Sequence, residues 1–139
     1  MTPGGGACAG LLAIVLALTA AAAARADDPL GIPVVVGNDG PGWDACASQG
    51  RVVGLNPLGD NFLAVRTGPS TRHVKVDEVY TGDTLHLCEK RGRWWGVVYA
   101  PSGEPVACGV TSGVPAPQAY GGPCRSGWVH GSYVELYAG

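Results

Sequence analysis

The chain has 139 residues, of which 46% are hydrophobic and 14% charged, and it contains 23 Gly and 11 Pro. This composition is too apolar for a wholly disordered chain and too rich in Gly and Pro for a helical bundle. The formal net charge of -2 gives no reason to expect nucleic acid as a partner. We therefore expect one small domain.

Residues 1–26 have the pattern of a secretory signal peptide. A mostly apolar run at residues 11–24 is followed by a small-x-small site ending at Ala26 and by a polar, proline-marked start. The strongly apolar part spans only residues 11–18, whereas a membrane-spanning helix needs about 20 apolar residues. We expect cleavage after Ala26, a periplasmic or secreted mature chain, and no stable membrane span. A retained anchor is the alternative.

The mature chain begins with an N-terminal arm and continues as short strands separated by turns. The arm, residues 27–49, carries one β-branched run at residues 34–36. We expect it to pack against the domain, since Trp43 and Cys46 would have little purpose on a free tail. From Gly50 onward, β-prone runs alternate with Gly, Pro and Asn. The predicted strands span residues 51–55, 62–66, 73–80, 84–90, 94–100, 127–130 and 134–137.

Residues 101–123 interrupt this pattern as a proline-rich loop insertion before the last strands. So long a loop in a small domain is uncommon unless it is functional or tied down. Cys108 and Cys124 lie at its middle and just past its end. A helical periodicity is absent from the mature sequence.

The alternation of side chains along each strand assigns faces. Trp95, Val97 and Tyr99 share one face, and Trp94 and Val98 share the other. The same rule places Cys88 on the outward face of its strand. The predicted core consists of Val65, Val76, Leu85, Leu87, Val97 and Val129.

Signal cleavage would remove Cys8 and leave Cys46, Cys88, Cys108 and Cys124. An even number of cysteines in a small exported domain suggests two disulfides, for which three connectivities exist. We favour Cys108–Cys124, which closes a loop within the insertion, together with Cys46–Cys88, which links the arm to the outward face of the Cys88 strand. A zinc site is the weaker alternative because the sequence has no Cys-x-x-Cys pair and its His residues are scattered.

Four ordered motifs resemble the bacterial Src-homology-3 domain. Residues 62–70 read FLAVRTGPS, similar to the family's LNVRSGPS, and residues 79–85 read VYTGDTL, similar to its L-x-x-G-x-x-V turn. Residues 91–97 read RGRWWGV, similar to x-G-W-Y-K-V, and residues 126–134 read SGWVHGSYV, similar to GWVHSSYL. We expect Gly68 to serve a turn before Pro69, and Gly127 to allow a close approach of the backbone.

The resemblance implies an all-β fold, a small five-stranded, partly open β-barrel over residues 50–139 with its insertion set aside. It also implies non-catalytic binding of peptide or peptidoglycan in the cell envelope. Face assignment suggests that Trp94, Trp128 and Tyr133 form an outer groove beside the loop at Arg66. The insertion and the cysteines depart from the family pattern.

Two other functions stay open. The arm or the insertion, through Trp43 or Tyr120, would cover the aromatic rings in a structural or protein-interaction module with a self-occupied groove. Alternatively, residues 101–123 would serve as the constrained loop of a small secreted inhibitor. The ligand and the oligomeric state are not specified by the sequence.

An enzyme is the least favoured interpretation. His86 lies near Cys88, but a disulfide-bonded cysteine is no nucleophile. The sequence lacks a nucleophile-elbow motif, and the carboxylate pairs at residues 27–28 and 77–78 are interpreted as solvated charges. We expect neither a cofactor nor a metal.

Overall fold

The structure is a computed structural model that describes residues 30–101 and 106–139. The expected signal peptide lies outside these residues. The described chain forms β-strands and one short 3-10 turn at Gly131–Tyr133. No helix within these two ranges is long and apolar enough to cross a membrane. The strands are β1 (Val35–Val36), β2 (Ser48–Val52), β3 (Leu63–Arg66), β4 (Lys75–Val79), β5 (Thr84–Arg91), β6 (Trp94–Tyr99), β7 (Gln118–Ala119), β8 (Arg125–His130) and β9 (Val134–Ala138).

Seven strands form one antiparallel sheet in the order β4-β3-β8-β6-β5-β2-β9. In the described residues no ladder joins the edge strands β4 and β9, so the sheet stays open. The expected all-β, partly open class is confirmed. The sheet has more strands than the five that the resemblance implies, in part because the end of the arm enters it as β2. That strand pairs with both β5 and β9 and begins at Ser48, earlier than predicted.

The inner face of the sheet holds a hydrophobic core. The alternation of side chains placed most of the predicted core residues correctly, since Val65, Leu85 and Val97 are fully buried. The prediction for Val76 is wrong, because its side chain is 56% exposed. The register passes from the Val65–Asp77 pair directly to the Arg66–Lys75 pair, which leaves Val76 as an unpaired bulge residue on an edge strand. The core consists of Val52, Leu63, Val65, Val79, Leu85, Leu87, Val97, Tyr99 and Val129.

The outer face of the sheet carries a second apolar cluster, covered by the arm and the insertion. Backbone hydrogen bonds join these two segments: the Cys46 amide donates to the Val110 carbonyl at 3.1 Å, and the Tyr120 amide donates to the Val34 carbonyl at 2.9 Å. The arm therefore packs as expected, although Trp43 itself is 67% exposed. The cluster consists of Val34, Val36, Ala45, Cys46, Cys88, Val98, Cys108, Val110 and Trp128.

Two disulfides fasten these covering segments in the pairing that the sequence analysis favoured. Cys46–Cys88 ties the arm to β5, and Cys108–Cys124 closes the insertion. Three of these cysteines are buried in the outer cluster. The disulfides therefore stabilise the domain together with the outer hydrophobic cluster and do not substitute for such a cluster.

Candidate functional site

A solvent-open cleft of about 640 Å³ lies between the loop before β3, the β3–β4 hairpin and the end of β8. This volume is within the range of small-ligand sites. Three of the four residues predicted to bind ligand, Arg66, Trp94 and Tyr133, line the cleft. The complete lining is Gly54, Leu55, Asn56, Gly59, Asp60, Phe62, Leu63, Ala64, Arg66, Thr71, Lys75, Trp94, His130, Ser132 and Tyr133.

An aromatic wall forms one side of the cleft. Trp94 and His130 are opposite each other in the β6–β8 ladder, so their side chains leave the same face. Their ring centroids are 5.3 Å apart in an edge-on arrangement, and His130 lies 6.3 Å from the ring of Tyr133. The Nδ1 atom of His130 accepts a hydrogen bond from the Ser132 amide at 3.2 Å, which fixes the imidazole at the start of the 3-10 turn. Trp94 and His130 are half-buried in this wall, and Tyr133 is exposed.

A cationic wall forms the other side. Arg66 and Lys75 are opposite each other in the β3–β4 ladder. The Arg66 guanidinium donates to the His73 carbonyl at 2.9 Å. The Lys75 ammonium lies 2.6 Å from a Glu78 carboxylate oxygen and 4.4 Å from the centroid of the Phe62 ring. The lining of the cleft thus combines positive charge with aromatic surface.

The loop beneath Arg66 is held by a buried histidine. The His73 ring bonds through Nδ1 to the Ser70 hydroxyl at 2.9 Å and is only 7% exposed. A Cβ atom at Gly68 would overlap this ring. The backbone of Gly68 is not left-handed, so glycine is required here by the close approach of His73 and not by turn strain. The expected close approach at Gly127 is present, since a Cβ there would overlap the Val65 side chain.

The fourth predicted binding residue, Trp128, does not reach the cleft. Its side chain is 0% exposed and belongs to the outer cluster. The alternation of side chains correctly placed Trp128 and Val129 on different faces of the sheet. The arm covers the face that carries Trp128, and the Trp128 indole N–H donates to the Ile32 carbonyl at 2.8 Å. The prediction of Trp128 as a ligand contact is therefore wrong, because its ring is buried and supports the fold. The arm therefore covers the Trp128 ring, whereas the cleft at Trp94 is open to solvent.

Lys75, Phe62 and His130 were missed as lining residues. Lys75 and His130 face the predicted residues Arg66 and Trp94 across antiparallel ladders. Pairing the residues of β3 and β4 outward from their hairpin turn would have placed Lys75 near Arg66. The bulge at Val76 shifts the register further along the two strands. The β6–β8 register could not be counted, because the insertion separates the two strands.

The other candidate chemical groups lie outside the cleft. Burial lowers the pKa of His86, and the neighbouring Cys88 is disulfide-bonded. Burial tends to raise the pKa of Asp77, but hydrogen bonds from Tyr99, the Glu78 amide and Arg125 lower it overall. Asp77 therefore links three strands rather than standing as a solvated charge. In residues 30–101 and 106–139, no group of three or more His, Cys, Asp or Glu could hold a metal ion.

Comparison with known proteins gives one match. The family model described as bacterial SH3 domain matches residues 61–135, which includes both walls of the cleft and excludes the arm. Neither the curated proteins nor the solved structures contain a significant match to the chain.

Proposed function

The chain belongs to the bacterial SH3 domain family, and from this premise we propose that it is a non-catalytic module of the cell envelope that binds peptide or peptidoglycan in the Trp94 cleft. The observation that carries the proposal is the open cleft itself, which is lined by half-buried Trp94, exposed Tyr133 and Arg66. Aromatic surface beside a few polar groups is the usual construction of a groove for extended peptides.

Two disulfides support an envelope location, because such bonds persist in oxidising compartments. We propose that the chain is exported and that the mature protein begins at Asp27. N-terminal sequencing of the protein recovered from the envelope or the medium tests this directly. A first residue other than Asp27 would contradict cleavage at the proposed site.

Sedimentation with purified, insoluble peptidoglycan tests the binding function. We expect Trp94→Ala to reduce the bound fraction at least roughly tenfold at limiting peptidoglycan, since it removes the largest aromatic surface of the cleft. Trp43→Ala is the matched control, because Trp43 is 67% exposed and does not line the cleft. A folded Trp94→Ala protein that sediments like wild type would overturn the proposal.

A constrained inhibitory loop is a second candidate. In the described part of the insertion, residues 111–113 and 115–119 are exposed, while Cys108–Cys124 and the hydrogen bond from the Ala45 amide to the Ser112 carbonyl hold the segment in place. Exposed backbone in a fixed conformation is the form that protease inhibitors present. Inhibition of a panel of proteases by wild type, lost on deletion of residues 113–119, would favour this candidate over cell-wall binding.

A further inference from the structure

Two cationic side chains stand next to each other in the cleft. Arg66 and Lys75 are direct partners in the β3–β4 ladder and both line the cleft. Direct partners place their Cβ atoms about 5 Å apart on one face of the sheet, and like charges in this arrangement destabilise the pair. This excess of positive charge at an open site would favour an anionic group of a ligand.

The neutralising groups are unevenly shared between the two cations. Lys75 forms an ion pair with Glu78. Arg66 takes part in none of the ion pairs of residues 30–101 and 106–139, and it donates there to a neutral acceptor, the His73 carbonyl. A guanidinium has five N–H donors in a planar fork that fits a carboxylate with two parallel hydrogen bonds. Arg66 is therefore the group with charge and donors to spare.

We infer that the cleft recognises the free carboxylate terminus of a cell-wall stem peptide, with Arg66 binding the carboxylate and Lys75 adding positive charge. The inference rests on the proposed function and specifies the ligand end that the site reads. The preceding residues of the peptide would then lie against Trp94 and Tyr133, which line the same cleft as Arg66. A neutral peptide segment would cover the Arg66 guanidinium without compensating its charge, which is costly when water is removed.

The acidic residue among the described lining residues is Asp60, which is exposed and lies on the loop before β3. Replacing this residue tests the sign of the charge that the ligand carries at the same site. If the ligand group is anionic, Asp60→Asn strengthens its binding, whereas a cationic ligand group would be bound more weakly by the same variant.

The decisive comparison varies the peptide rather than the protein. The probe is a fluorescent tetrapeptide of the stem type, prepared with a free C-terminal carboxylate and as its C-terminal amide, and titrated into the mature wild-type chain. We expect the free acid to bind at least roughly tenfold more tightly than the amide, the ratio expected when one charge-assisted pair is lost. The ratio falls with added salt, because the cleft is open to solvent.

Protein variants then locate the effect. Arg66→Gln should bring the ratio of the two affinities close to one, and Arg66→Lys should restore part of it. Arg72→Gln is the matched control, since Arg72 lies in the same hairpin turn, is exposed and does not line the cleft, so its ratio stays at the wild-type value. If Arg66→Gln fails to fold without the hydrogen bond to His73, the comparison of acid and amide on the wild-type chain still tests carboxylate recognition.

The outcomes separate the inference from the function on which it rests. Equal, Trp94-dependent binding of acid and amide would overturn carboxylate recognition and leave a peptide-binding cleft. Failure of both peptides together with failure of insoluble peptidoglycan to bind would overturn both. An acid preference retained in folded Arg66→Gln would overturn the assignment to Arg66.

Discussion

The indole N–H of Trp128 donates a hydrogen bond to the carbonyl of Ile32 at 2.8 Å, joining the centre of β8 to the arm. The ring is completely buried, and its neighbours in the outer cluster come from the arm, the insertion and the sheet. Trp128 thus belongs to the contact that holds the arm on the sheet. In the proposed binding mode, Trp128 affects the cleft only through the stability of the fold.

Trp128→Phe tests this support role. We expect a loss of about 1 kcal/mol from the hydrogen bond, and more from the unfilled volume, in the free energy of unfolding measured with urea. Trp43→Phe, at an exposed tryptophan, should leave the unfolding free energy unchanged. Near-wild-type stability of Trp128→Phe, combined with abolished binding to peptidoglycan, would contradict the support role and restore Trp128 as a ligand contact.

Removal of each disulfide should destabilise the fold by an amount that follows the size of the loop it closes. The sequence separations are 42 for Cys46–Cys88 and 16 for Cys108–Cys124. The chain-entropy relation gives losses of about 4 and about 3 kcal/mol when both cysteines of a pair become alanine. Denaturant unfolding of the two double variants measures both values. A larger loss from the shorter loop would show that contacts in the insertion outweigh the chain entropy.

Gly68→Ala should destabilise the domain because the new methyl group would overlap the ring of His73. Overpacking of this kind costs at least about 1 kcal/mol, and it displaces the loop whose carbonyl holds Arg66. Gly42→Ala is the control, since a Cβ there meets nothing within 4 Å. Thermal unfolding compares the two, and equal melting temperatures would show that the His73 ring moves aside without cost.

Acidification should weaken the fold through His86. Burial lowers the pKa of His86 from 6.5, and its Nδ1 atom has no hydrogen-bond partner in the described chain. A base with a lowered pKa is protonated first in the unfolded state, so the free energy of unfolding falls as the pH drops below 6.5. His86→Gln should flatten the stability profile between about pH 7 and pH 5. Parallel profiles for wild type and variant would exclude His86 as the cause.

The carboxylate of Asp77 makes a separate contribution at lower pH. Its pKa is lowered from 3.8 in the folded state. Its stabilising effect is therefore complete above 3.8 and is lost as the pH falls through the lower folded value. The two groups act in different pH ranges, so the His86 substitution leaves the more acidic part of the profile in place.

The sequence predicted most of the strands of the large sheet and part of the inner core, because the alternation of side chains reports which face is buried. It placed Trp94 and Trp95 on opposite faces, and the structure has them packed against the two different clusters. It failed at Val76, where one bulge residue on an edge strand breaks the alternation. A bulge depends on the partner strand, and a single strand's sequence does not carry that information.

The members of the second hydrophobic cluster could not be predicted, because the cluster is built by long-range packing. Parity places Val98 and Trp128 on the outer face, but it does not tell which segment covers them. The arm and the insertion do so together, through Val34 and Val110 among others. For the same reason three of the predicted residues, Arg66, Trp94 and Tyr133, line one cleft, whereas Trp128 is buried away from it.

The most direct test of the account follows the indole N–H signals of Trp43, Trp94, Trp95 and Trp128 in an NMR titration of the mature chain with soluble peptidoglycan fragments. The account predicts that the Trp94 signal shifts in a saturable manner, because Trp94 is the only tryptophan among the described lining residues of the cleft. The signals of exposed Trp43 and buried Trp128 should stay in place. A saturable shift of Trp43 with an unchanged Trp94 signal would contradict the account and move the binding site to the arm and the insertion.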